Sequence, residues 1–244
     1  LFAPGDAVLL PDPAYVTYDA ALRAAGAEPV RIAPRTDAPF RPDPAAMAAA
    51  VGPATRGILL NTPANPTGIA MTREELGAIA AIAWEADLVV MVDEVYARLC
   101  FDRPHVPFAG LPGMAERTVT IGSLSKSHAM TGWRVGWAIG PEAFATHAER
   151  LGLAMLYGLP AFTQNAAATA LERAGEIEPA LRETFRRRCA VVADALAGVA
   201  GLSVIRPEGG MFVMVDVTAS GLDSGTFVRR LYEAEGVSTL DGAA

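Results

Sequence analysis

Of the 20 basic side chains in this 244-residue chain, 19 are arginine; the one lysine, Lys126, lies in "SLSKSHAMTGWRVGW", from Ser123 to Trp137. The two residue types share a charge and differ in chemistry. A guanidinium stays protonated and is a poor nucleophile, whereas an amine can lose its proton and form a Schiff base with a carbonyl. A sequence that uses arginine wherever charge suffices marks its retained lysine as the candidate nucleophile. A coding bias toward arginine would leave a lone lysine anywhere, but Lys126 follows directly on an apolar, β-branched run in a Ser/Gly-rich loop. Other polar groups recur at comparable places: Asn65 in "NTPANPTG", Asp93 at the end of "VVMVD", Tyr96 three residues on, and Ser123 after "TVTIG". Singly, each has a plain structural alternative. Asn65 before a proline makes turns, Asp93 caps whatever follows it, and Tyr96 packs with a wet hydroxyl.

The elements that would carry these groups follow from periodicity. "AVLLP" (7–11), "PVRIA" (29–33), "GILLN" (57–61), "LVVMVD" (88–93), "TVTIGS" (118–123) and "VGWAIG" (135–140) read as strands. The near-continuous apolar run of 88–93 suits a strand covered on both faces. Between them, 14–26 turns into a helix that stops at a glycine. Residues 43–51 begin with Asp43-Pro44, a cap with proline at the first helical position, and 72–87 begin with a capping box of Thr72 and Glu75. This alternation implies an α/β fold with a mostly parallel, helix-covered sheet, which places Asn65, Asp93, Tyr96, Ser123 and Lys126 at the carboxyl ends of strands, where such sheets bind ligands. From Pro141 to about Ala200 the period becomes helical, including 179–199. Then come strands at 202–207 and 211–217, a helix within 224–235, and a strand opening in "GVSTLDGAA". The change of period suggests a domain at 1–160 and, over 161–244, a bridging helix with part of a smaller α+β domain.

Composition narrows the function classes. A net charge of −7 leaves no basic stripe to neutralise phosphates, so nucleic acid is not an expected partner, and the cluster Arg186-Arg187-Arg188 reads as a solvated helix face. His105, His128 and His147 lack metal-ligand spacing. Cys100 and Cys189 are too few and too separate for a disulfide framework. No apolar run reaches membrane-spanning length. These features indicate a cytoplasmic enzyme or binding protein. "LFAPGD" at the start and "GVSTLDGAA" at the end read as cut elements, so a chain truncated at both ends is expected.

Taken together and in order, "NTPANPTG", "VDEVY" and "SLSKSHAMTGWRVGW" resemble the pyridoxal-phosphate (PLP) enzymes of fold type I, specifically the class I/II aminotransferases. The later "MLYG" (155–158) and "GGMFVMVDV" (209–217) are similar to those of arginine:pyruvate transaminases. The resemblance implies that Lys126 holds PLP as a Schiff base and moves a proton at the substrate α-carbon. It implies that Asp93 keeps the ring nitrogen protonated, that Asn65 and Tyr96 hydrogen-bond the ring's phenolic oxygen, and that Tyr15 stacks on the ring. Ser123 and Arg134, with Ser125, would bind the phosphate, and Phe212 would line the substrate side. The implied reaction passes an amino group from an L-amino acid, arginine foremost, to a 2-oxo acid, pyruvate foremost, in a ping-pong sequence. A homodimer and two pieces outside the chain are also implied: a phosphate-cupping turn ahead of Leu1 and a carboxylate-binding arginine beyond Ala244. Three alternatives stay open: a β-elimination lyase on the same fold, a non-catalytic effector domain of a transcription regulator, and an inactive fragment.

Overall fold

The computed structural model describes residues 1–242. The expected apolar runs form β1 (Ala7–Pro11), β2 (Glu28–Ile32), β3 (Thr55–Asn61), β4 (Val89–Asp93), β5 (Thr118–Ser123) and β6 (Gly136–Ile139), in one sheet of order β2-β1-β3-β4-β5-β6. The first five are parallel. β6 runs antiparallel to β5, with Ser123 opposite Gly136. The direction reverses because only a short connection, residues 124–135, joins β5 to β6, and a parallel return needs a long crossover.

Side chains alternate across β1 and β3. Leu9, Ile58 and Leu60 face one layer with Leu76, Ile79 and Met47, while Val8, Leu10 and Leu59 face the other with Leu22. Three helices cover these faces: α1 (Thr17–Ala24), α2 (Pro44–Ala49) and α3 (Arg73–Glu85). In α3 the buried set Leu76, Ile79, Ala80 and Ala83 follows the i, i+3, i+4, i+7 stripe of an amphipathic helix. Each fully buried Leu or Ile in it stabilises the fold by roughly 1.5–3 kcal/mol.

The helix starts follow the sequence signals. Asp43 accepts from the N–H groups of Ala45 (2.9 Å) and Ala46 (3.0 Å), with Pro44 next in line. Thr72 Oγ1 accepts from Glu75 N at 3.1 Å while Glu75 Oε2 accepts from Thr72 N at 2.7 Å, the reciprocal capping box.

After β5 a single helical turn, α4 (Leu124–Ser127), leads toward β6. The helical stretch then divides into α5 (Glu142–Leu156), α6 (Ala161–Glu172) and the 23-residue α7 (Ala174–Leu196), with Arg173 ending α6 and starting α7. Beyond them β7 (Ser203–Ile205) and β8 (Met214–Asp216) form a two-stranded antiparallel sheet, followed by α8 (Ser224–Glu235). The strand expected to open in "GVSTLDGAA" is not formed. Gly236 ends α8 with φ +67°, and residues 237–242 run without a ladder partner; the last two residues of that expectation lie outside the described ones.

The order β2-β1-β3 contains the topological switch. From β1 the chain moves outward to β2, then crosses back to β3 and continues the other way. At such a point the loops leaving the two central strands part and open a crevice. Those loops carry Tyr15 and Tyr18 after β1, and Asn61 and Asn65 at and after β3.

Candidate active site

Asp93 ends β4 with each carboxylate oxygen engaged by one donor. Tyr18 OH donates to Oδ2 at 2.7 Å and the Val95 N–H to Oδ1 at 3.1 Å. Burial pushes the Asp93 pKa up, against the lowering pull of these two hydrogen bonds. Among the described residues no arginine, lysine or histidine comes within ion-pair reach of it. A buried carboxylate of this kind lacks a countercharge.

Beside it, Asn61 stands opposite Asp93 in the β3–β4 register. The Asn61 amide donates to Asp93 O at 2.9 Å and its carbonyl accepts from Asn65 N at 2.7 Å. Asn61 thereby fixes the first turn of the loop that presents Asn65. The Asn65 side chain hydrogen-bonds Tyr96, yet burial and the nearby Asp93 push the Tyr96 pKa up to about 12, so the phenol stays a donor near neutrality. Tyr96 is 4% exposed and meets Phe212 edge to face at 5.5 Å between centroids. Tyr15 meets Tyr18 in the same manner, also at 5.5 Å, and keeps an exposed face. Asp93, Tyr15, Asn65, Tyr96 and Phe212 are thus joined by direct contacts, with Tyr18 and Asn61 between them.

A second group sits at the end of the neighbouring strand. Ser123 Oγ caps α4 by accepting from Ser125 N at 3.0 Å, and donates to Val135 O at 2.9 Å. That second bond brings residue 134 alongside. Arg134 has φ +54°, a left-handed conformation that few non-glycine residues adopt and that recurs at ligand sites. Its guanidinium is exposed, donates to Thr131 O at 2.9 Å and faces no carboxylate among the described residues.

Lys126, in the middle of α4, is partly buried and makes no hydrogen bond or ion pair among the described residues. Ser127 Oγ braces the turn through Ser123 O at 3.2 Å and His128 Nδ1 at 2.8 Å. The two groups meet along the β4–β5 ladder, where Asp93 pairs with Ile121, and where α4 packs on the 3-10 turn Ala97–Leu99 after Tyr96.

Tyr18 and Asn61 carry no signal of their own in the sequence. The three-residue spacing of Tyr15 and Tyr18 at the entry to α1 and a polar residue closing an apolar strand are the only pointers. A cavity of about 30 Å³ lies among Pro11, Tyr18, Phe40, Asn61 and Asn65, with room for a water and not for a substrate. Among the described residues no cluster of His, Cys, Asp or Glu could hold a metal ion, and no helix is long and apolar enough to cross a membrane.

The parallel sheet thus carries a buried aspartate without a countercharge at the end of β4 and an unpartnered lysine in the turn that follows the neighbouring β5. The sequence matches aminotransferase class I and II over residues 1–244, and the chain belongs to that family. It is 49% identical to arginine–pyruvate transaminase AruH of Pseudomonas aeruginosa over 100% of this chain and 62% of the relative. It is 35% identical to the putative aminotransferase YugH of Bacillus subtilis over 98% of this chain and 62% of that protein. Among solved structures, the aromatic aminotransferase of Pyrococcus horikoshii superposes with a TM-score of 0.95 at 32% identity, covering 100% of this chain and 65% of that one. The Thermus thermophilus aspartate aminotransferase with maleate gives 0.93 at 31%, covering 99% and 63%. The chain therefore spans about 62% of the length of the curated relatives it matches.

Proposed function

We propose that the intact protein is a PLP-dependent aminotransferase that takes an amino group from an L-amino acid and hands it to a 2-oxo acid, with arginine as donor and pyruvate as acceptor. The observation that carries this reading is the unpartnered Lys126 amine in the turn after β5, the strand beside the one that Asp93 ends, Asp93 being a carboxylate without a cation. The 49% identity to the Pseudomonas aeruginosa arginine–pyruvate transaminase supports the choice of substrates.

PLP, when bound, supplies an electron-withdrawing ring that stabilises negative charge at the substrate α-carbon. The chain's own residues do the rest. Lys126 Nζ would hold the cofactor through its carbonyl carbon and, as a free amine, would hold and move the proton of the substrate α-carbon. The Asp93 carboxylate keeps a proton on the ring nitrogen, and Tyr18 and Val95 hold that carboxylate in place. Tyr96 OH and the Asn65 amide donate to the ring's phenolic oxygen. Tyr15 offers its exposed face for stacking, and Phe212 lines the substrate side. Ser123, Ser125 and Arg134 hold the phosphate, where a planar guanidinium matches paired oxygens.

Residues 1–160 are the cofactor-binding domain and 161–244 the bridging helix with part of a smaller domain. The working form is a cytoplasmic homodimer.

Borohydride reduction of the PLP-treated protein, followed by peptide mapping, tests the lysine. A label on Lys126 is expected, and a label elsewhere or none removes the assignment. Alanine formed from pyruvate in the presence of arginine tests the substrates; its absence, with other donors active, rejects arginine.

A further inference from the structure

Glu208, in "RPEGG", lies four residues ahead of Phe212, and its carboxylate gathers donors from three separate segments. Oε1 pairs with Arg41. Oε2 accepts from Arg103 Nη2 at 2.9 Å and from the Ala70 N–H at 3.0 Å. Arg41 continues to Glu75 of the α3 capping box at 3.1 Å, and both arginines also donate to Ala70 O. The main chain adds a second layer. Glu208 N (2.9 Å) and Gly209 N (3.0 Å) both donate to Gly68 O, Phe101 N donates to Glu208 O at 2.9 Å, and Gly210 N to Leu99 O at 3.0 Å.

Residues 207–210 are therefore laid directly on the loop that presents Asn65 and on the segment that follows Tyr96. The approach is close enough to require glycine on both sides. A Cβ on Gly68, whose φ is +71°, would strike Pro207, and one on Gly209 would lie 2.8 Å from Pro63 and 2.9 Å from Leu99 O. The two glutamates and two arginines balance in charge, and Glu208 is the member that touches both arginines. Removing it leaves Arg41 and Arg103 sharing Ala70 O with one acid fewer between them, and a network of this kind loses more than one pair when its hub goes.

We propose that Glu208 is a positioning residue for the substrate-side wall: it ties the Phe212 segment to the loops of Asn65 and Tyr96 and so fixes the distance across the site. The inference rests on the functional reading above. A wall residue displaced by about 1 Å is enough to weaken productive placement of a substrate.

The test compares the intact protein with its Glu208→Gln and Glu208→Ala variants. In Glu208→Ala, amide hydrogen exchange is expected to rise together in peptides covering 64–71, 97–101 and 207–212, with β3 and β4 unchanged. KM for the amino donor is expected to rise about tenfold with kcat within about threefold. Glu208→Gln keeps an acceptor for the Ala70 N–H and is expected to recover part of both changes; it carries the test alone if Glu208→Ala does not fold. Exchange that rises only in 207–212, or an unchanged KM in variants of a normally active enzyme, overturns the positioning role. A wild-type protein that transfers no amino group overturns the functional reading instead, and the exchange pattern, read without substrate, separates the two results.

Discussion

The Tyr18 hydroxyl donates to Asp93 Oδ2 at 2.7 Å, joining the start of α1 to the end of β4 across 75 residues of sequence. With Val95 N on the other oxygen, the carboxylate is held at both ends while neither donor neutralises it. Burial and the facing carboxylate push the Tyr18 pKa far up, so this phenol remains a donor at any working pH.

Tyr18→Phe removes one of two donors. The loss of a hydrogen bond to a charged group is worth about 1.5–3 kcal/mol, so kcat/KM is expected to fall roughly ten- to a hundredfold. The removed bond lowers the Asp93 pKa, so the acidic limb of the pH–rate profile should also move to higher pH. A profile that only drops in height would assign Tyr18 a packing role alone.

Asp93→Asn separates activity from stability. Burial holds the folded carboxyl above the ordinary aspartate value, so as pH rises from about 4 the unfolded chain gives up its proton first and the native state is progressively penalised. Asparagine does not ionise, and the Tyr18 hydroxyl can rotate to accept from its amide. Without cofactor, the variant is expected to melt above wild type at neutral pH, with the gap closing as pH falls toward about 4. Its turnover is expected to be lost at every pH. Melting curves at three pH values and a rate assay check both halves.

Thr72→Ala removes the hydroxyl half of the α3 capping box and is expected to cost about 1 kcal/mol. Urea unfolding should show a lower midpoint with an unchanged slope. Because Glu75 also receives Arg41, the effect should exceed that of Asp43→Ala at the six-residue α2.

Cys100 and Cys189 are both buried, and burial pushes the Cys100 thiol up to about 11 and raises that of Cys189. At about pH 8 both are expected to resist alkylation in the folded protein and to react together once it is unfolded. Rapid labelling of either in the native state, read by mass spectrometry, would contradict the packing described.

Much of the scaffold was legible because it depends on local signals. The apolar runs of β1 and β3, the Asp43 cap, the Thr72–Glu75 box and the lone lysine after β5 are each contained in fewer than ten residues. What escaped depends on distant pairs. Tyr18 gains meaning only from Asp93, Asn61 only from its register opposite Asp93, and Glu208 only from Arg41, Ala70 and Arg103. The expected strand after Gly236 failed for a related reason. "GVSTL" has strand-like residues, but a strand exists only where another offers it a ladder, and none does within the described residues.

The reversed direction of β6 has a consequence for how the protein is made. The backbone leaves the rim of Asp93 and Ser123 and is carried toward the opposite rim by Ile139, so the chain comes back before residues 208–210 reach Gly68 and Leu99. The 23 residues of α7 make about 34 Å of helix, which packs against α4 and the 3-10 turn Ala97–Leu99. On a ribosome, Lys126 emerges some 80 residues before Glu208 and Phe212. Each newly synthesised molecule therefore passes through a stage in which Lys126 is already present while the segment of Glu208 and Phe212 has yet to be translated.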